Sequence, residues 1–368
     1  MRPYYTLGCV VWAVLAGAHT APAEDAGEGG RLARAAAYLD EQREHQRIPG
    51  LSAAIVVDNK PVWSRGFGMA DLENDIPATP ETVYRIASVS QTITAVALLQ
   101  LVQSGRLSLT ASVRDYVPEL ADQGELITIR HVLAHLSGIR HFKDAEEYFN
   151  YKHYRQLADT VEVFKDDRLV GKPNERFVLS TWGYNLLGLV IERVSSLSFG
   201  EYLRQHVFEP AGMKASGLDD PHAIIPHRAR GYTGTNGQPI RNSKSVDLSV
   251  RYPGEGVLST ADDLARFAVA FNTGKLLDES LIRVMTTEHQ TSSGKPTHYG
   301  LGCFVRELEG RKIVGHAGAV PQAAAILLIV PDEKLAVIIL ANLEQADVKT
   351  MGLEVARIML TPELGPGS

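Results

Sequence analysis

Cysteine is scarce in this chain: 368 residues carry only Cys9 and Cys303. A framework of disulfides is therefore excluded as the source of stability, and Cys303 reads as a small core residue. A basic excess is lacking too. The formal net charge of -6 and a pI near 6.1 leave nothing to neutralise phosphates, which argues against a nucleic-acid partner. Twelve histidines are scattered without an HExxH or CxxC pattern, so neither a metal nor another cofactor is expected. Apolar runs long enough to span a bilayer are missing, as are internal repeats, low-complexity tracts and a heptad seam that would support a self-associating scaffold. The oligomeric state is not encoded in any such pattern.

What is present is an ordinary globular balance, with 45% hydrophobic and 22% charged residues, enough to bury a sizeable core. The first 23 residues read as a signal peptide: Arg2, a short apolar stretch at 7–18, and Ala21-Pro22-Ala23 as the cleavage pattern. Cys9 follows Leu7-Gly8, but most of the apolar run lies after it rather than before it, which disfavours lipid attachment at this residue. Export to a periplasmic or extracellular space follows as an expectation.

A charged amphipathic helix is expected at 31–46, then strands at 51–58 and 61–69 across a short turn. The middle, 87–274, is expected to be mainly helical, with its clearest helix running from Ser88 through Gln103. Four strands are expected at 299–307, 311–316, 322–330 and 335–340, and a last helix at 346–360. Strands at both ends with helices between them predict an α+β fold, an antiparallel sheet built from both termini with a helical insertion. The sheet part would be about 31–87 and 295–368 and the helical part about 88–294, within one domain at 24–368. The stretch 141–172, rich in charge and in rings such as Tyr148, Phe149 and Tyr154, reads as a solvated helical face.

Three stretches carry chemistry. The first is Arg85-Ile86-Ala87-Ser88-Val89-Ser90-Gln91. The second is Phe177-Val178-Leu179-Ser180-Thr181-Trp182-Gly183-Tyr184-Asn185. The third is Val314-Gly315-His316-Ala317-Gly318-Ala319. In this order they resemble the three site motifs of the serine β-lactamase and penicillin-binding-protein superfamily, closest to its class C branch of esterases, peptidases and mitochondrial β-lactamase-like proteins. Val132 to Ile139, Gly256 to Ala265, Tyr299 to Gly302 and Val330 to Asp332 extend the likeness over roughly 33–360.

The resemblance implies a β-lactamase/transpeptidase-like fold and a small-molecule or peptide ligand. It also implies an acyl-enzyme on Ser88, formed from an amide, ester or β-lactam. The backbone N–H groups of Ser88 and Ala319 would form the oxyanion hole, with Thr181 and Gly318 lining the substrate site. Two positions depart from the pattern. Gln91 stands where the family has its lysine, and an amide cannot accept a proton near neutral pH. Leu179 stands where the family has its tyrosine. Each positioned acid or base is worth about 10²–10⁴-fold in rate, and what survives their loss is about 10³–10⁴-fold over water.

His316 has two readings, a substitute base or a hydrogen-bond partner for a ligand carboxylate or neighbouring side chain. Tyr184 is the nearest tyrosine to the lost one. His135 and Ser137 read as braces of the helical part. Two functions stay open: an impaired serine hydrolase, and a catalytically silent protein that binds a peptidoglycan-like peptide or another acylated ligand.

Overall fold

The computed structural model describes residues 27–234 and 237–361. The segment read as a signal peptide, residues 1–23 with Cys9, lies outside the described residues.

The chain opens with helix α1 (Glu28–His45) and enters the sheet through β1 (Gly50–Val57), β2 (Lys60–Asp71) and the short β3 (Ile76–Pro77). It returns to the same sheet much later, through β4 (Phe304–Leu308), β5 (Arg311–Val320), β6 (Ala323–Val330) and β7 (Leu335–Ala341). The order across the sheet is β3-β2-β1-β7-β6-β5-β4, and every pairing is antiparallel. β1 and β7 therefore meet at the centre, Leu51 opposite Ala341 and Ala53 opposite Ile339. This is the α+β architecture expected from strands at both ends of the sequence.

Both faces of the sheet are covered, which explains why β6 and β7 are apolar at every position rather than alternating. One face packs Ala53, Ile55, Ile326, Leu328 and Ile339 against α1 and the C-terminal α5 (Val348–Leu360). The opposite face turns Ala54, Val56, Leu327, Ile338 and Leu340 toward the helical part. That part is built on α2 (Val89–Gln103), α3 (Thr181–Ser195) and α4 (Ala261–Asn272). α2 is buried on nearly every side because it is the axis between the sheet and α3, with Ile93, Val96, Leu98 and Leu99 fully enclosed.

The structure corrects three expectations. Residues 299–303 are not strand: Tyr299 makes only an isolated bridge to Phe304, where β4 begins. β5 runs on to Val320, past His316, so the third motif lies wholly on a strand. The stretch 141–172 is mostly irregular, with only the turns Ala145–Tyr148 and Leu157–Val163 helical. Several of its rings are half-buried against the helical part, Phe142 meeting Trp182 edge-on at 5.3 Å, whereas Tyr151 is exposed. The middle also holds a small sheet of Tyr84–Arg85, Gly217–Leu218 and Val257–Ser259, which the helical reading of 87–274 did not include.

Candidate active site

Ser88 sits at the N-cap of α2, but its side chain makes no capping bond. Among the described residues its Oγ and its N–H have no hydrogen-bond partner, so neither is consumed by local structure. The residue before it, Ala87, is fully buried with φ 48, in the left-handed region. For an alanine that conformation costs on the order of 1–2 kcal/mol and persists only where packing enforces it. Here the preceding pair Tyr84–Arg85 is paired with Val257–Ser259, and α2 starts immediately after, so Ala87 must turn the chain sharply. The turn presents Ser88.

The third motif closes over it. A Cβ on Gly318 would lie 2.8 Å from Ser88 Oγ and 2.9 Å from Ser88 N, too close for any side chain. Glycine is thus required for β5 to run against the serine. Ala319, next along, is exposed at the end of the same strand. Close approach of these two backbones is the arrangement that an oxyanion site needs.

The proton-handling groups are arranged differently. Gln91, one helical turn after Ser88 and on the same face, is completely buried. Its Oε1 is 2.9 Å from His135 Nε2 and 3.4 Å from the Tyr299 hydroxyl. The Ser180 backbone N–H donates to His135 Nδ1 at 3.1 Å. A neutral imidazole has one proton, so it must sit on Nε2 and be donated to Gln91 Oε1. His135 is held neutral, its pKa driven well below the usual value by burial first and by the neighbouring His316 and His141 second. It braces the helical part, as its motif suggested, and it also fixes the orientation of the Gln91 amide.

His316 is similarly occupied. Its Nδ1 lies 3.0 Å from the Ala317 carbonyl, which can only accept, and its Nε2 is 2.9 Å from the Tyr299 hydroxyl. The proton is therefore on Nδ1, and Tyr299 donates to Nε2. Of the two readings of His316, the partner of a neighbouring side chain is the one this geometry favours. Burial pulls its pKa down to about 4, and burial raises that of Tyr299 well above its ordinary value. Both are neutral near pH 7.

The remaining candidates are dispersed. Leu179 is 39% exposed and brings no polar atom. Thr181 is fully buried and donates its hydroxyl to Glu255 Oε1 at 3.3 Å rather than offering it to a ligand. Tyr184 donates to the Leu133 carbonyl at 3.0 Å, so its hydroxyl proton is already engaged away from Ser88. Tyr299 belongs to the site although sequence reasoning placed it at a strand start. The Tyr-Gly-Leu-Gly stretch was a sufficient signal only for someone who knew that Gly302 packs against Gln91 and Ala95 on α2. Among the described residues no cluster of His, Cys, Asp and Glu could hold a metal ion.

A family model described as Beta-lactamase matches residues 35–358. The chain belongs to this family. It is 28% identical to the human serine beta-lactamase-like protein LACTB, mitochondrial, over 80% of this chain and 71% of that protein. Protein flp of Staphylococcus aureus (strain MW2) is 30% identical over 83% of this chain and 61% of its own length. Among solved structures, the octameric penicillin-binding protein homologue from Pyrococcus abyssi superposes with a TM-score of 0.79. It is 27% identical, and the match covers 89% of this chain and 77% of that one. The D-amino acid amidase from Ochrobactrum anthropi SV3 reaches the same TM-score at 22% identity, over 89% and 98% of the two chains, and so shares the fold. The chain is therefore a serine beta-lactamase-like member with a hydrolase fold.

The buried neutral histidines make this beta-lactamase-family fold sensitive to acid. For His316 the folded pKa, about 4, is below the free value near 6.5. The unfolded chain thus binds more protons between these pH values. Stability is full above about pH 6.5 and is lost as pH falls toward 4. The expected size is about 2 kcal/mol between pH 7 and pH 5. Urea denaturation at both pH values should show that much less loss in His316→Gln than in the wild type. An equal loss in the two proteins would refute the assignment.

Proposed function

We propose that this protein binds a carbonyl-bearing ligand, of the amide, ester or β-lactam kind, in the cleft at Ser88 and leaves it largely uncleaved. The observation that carries this reading is the surroundings of the serine. Ser88 Oγ has no base within hydrogen-bond reach among the described residues, and the position one turn along α2 holds an amide already engaged by His135. Without proton removal a serine hydroxyl is a weak nucleophile. The close apposition of Gly318 and Ser88, with the Ser88 N–H unpartnered, supports the binding half of this reading. The Pyrococcus relative, named as a penicillin-binding protein homologue, is in keeping with a ligand of this class.

A second reading has a specific observation in its favour. The enforced left-handed Ala87 presents Ser88 as a nucleophile would be presented, and a residual serine hydrolase follows if water or ligand supplies the base. Intact-mass analysis after exposure to a fluorophosphonate and to a fluorescent penicillin separates the two. The expected result is an adduct at Ser88 that forms slowly or not at all, and none in Ser88→Ala. Rapid stoichiometric labelling of Ser88 would overturn the binding reading and leave the hydrolase.

A further inference from the structure

The chain of hydrogen bonds behind Ser88 has a direction. It begins at the Ser180 backbone N–H, which can only donate, passes through His135 from Nδ1 to Nε2–H, and ends on Gln91 Oε1. The carboxamide is thereby oriented without ambiguity: exchanging its oxygen and nitrogen would set an N–H against the His135 N–H. What remains is Gln91 Nε2. It is a donor, it is buried, and it has no partner among the described residues. A buried unpartnered N–H costs about 1–3 kcal/mol, so such a group calls for an acceptor.

A second unpartnered donor lies one helical turn earlier on the same face of α2. The Ser88 N–H is unpartnered at the start of a fifteen-residue helix, whose positive end favours an anion. The hydrogen-bond partners of Gln91, His135, Tyr299 and His316 include no carboxylate. In the family pattern position 91 removes a proton; here its oxygen is taken by His135, and its free nitrogen can only donate. Beside these donors the segment 177–179 adds apolar surface, with Phe177 37% and Leu179 39% exposed and the Phe177 ring against His135 and Tyr299.

We propose that the Ser88 cleft is a receptor for a carboxylate carried on an apolar group. The carboxylate oxygens would accept from Ser88 and from the Gln91 amide, and the apolar part would lie on Phe177 and Leu179. The proposal rests on the binding reading above and sharpens its ligand class: a carboxylate anion satisfies donors better than the neutral carbonyl of an amide or ester. It also gives Gln91 a task of its own rather than the mere loss of lysine.

Phenylacetate and phenylacetamide are matched probes, alike in shape and differing in charge. Calorimetric titration of the full chain should show saturable phenylacetate binding, about tenfold tighter than phenylacetamide, as a charge-assisted hydrogen bond supplies. In Gln91→Met, which keeps the length and loses the donor, that preference should fall to within about twofold. Absence of saturable phenylacetate binding, equal affinity for the two probes, or an unchanged preference in Gln91→Met overturns the proposal. Should Gln91→Met fail to fold, nitrogen-15 NMR of the wild-type histidines decides instead. His135 protonated on Nε2 supports it, and His135 protonated on Nδ1 reverses the amide and overturns it. Rapid Ser88 labelling with the carboxylate preference retained would sink the binding reading alone; slow labelling without the preference would sink the carboxylate alone.

Discussion

Gln91→Lys combined with Leu179→Tyr is expected to raise the rate of Ser88 acylation by about 10²–10⁴-fold over the wild type. The reason is positional. Residue 91 lies one turn after Ser88 on the same face of α2, in a fully buried place. A lysine there would be desolvated, its pKa drawn down, and a share of it would be a neutral amine able to accept the serine proton. Leu179 lies at the exposed edge of the segment whose Phe177 and Ser180 contact His135, so a tyrosine can be accommodated there.

The two changes should act together rather than multiply, because such groups work as a unit. The substitution is not free of cost. His135 Nε2–H loses the Gln91 oxygen, at on the order of 1 kcal/mol of stability. The check is the time course of fluorophosphonate adduct by intact mass, with Ser88→Ala added to the double variant as control. A double variant labelled no faster than the wild type would show that something other than these two groups keeps Ser88 quiet.

The largest effect on stability is expected at Glu255. Arg251 is completely buried between the rings of Phe142 and Tyr148, 4.7 and 5.1 Å from their centroids. Its ion pair with Glu255, Nε to Oε2 at 2.9 Å, supplies the counter-charge. Glu255 also receives the Thr181 hydroxyl at the first turn of α3, so the pair ties the second motif to the helical part. Glu255→Leu would leave a buried guanidinium without a partner and should cost about 3–5 kcal/mol in urea denaturation. Arg251→Met together with Glu255→Leu should recover most of that loss, since an apolar pair of similar volume does not need compensation. A loss below about 1 kcal/mol in the single variant would mean that solvent reaches Arg251 after all.

The Arg251–Glu255 pair illustrates what a linear reading misses. Thr181 matched the substrate-binding position of the second motif, yet its hydroxyl faces Glu255, 74 residues away in sequence. Tyr299 carried no polar role in its own stretch, yet it is the donor that fixes His316. Both cases depend on contacts between segments that no local pattern connects.

The sequence by itself determined the family, the antiparallel sheet shared by the two ends of the chain, and the place of Ser88 at the head of a buried helix. These rest on apolar periodicity and on ordered motifs, which are local properties. It also set Gln91 and Leu179 at the positions where the resemblance implies a lysine and a tyrosine. Only the tertiary structure decided what Gln91 can do there. The Ser180 N–H, 92 residues beyond Ser88, sets the tautomer of His135, and that tautomer turns the Gln91 amide nitrogen into an unpartnered donor. Whether a buried amide gives or accepts a hydrogen bond is settled by its neighbours in space, and those are assembled only when the chain folds.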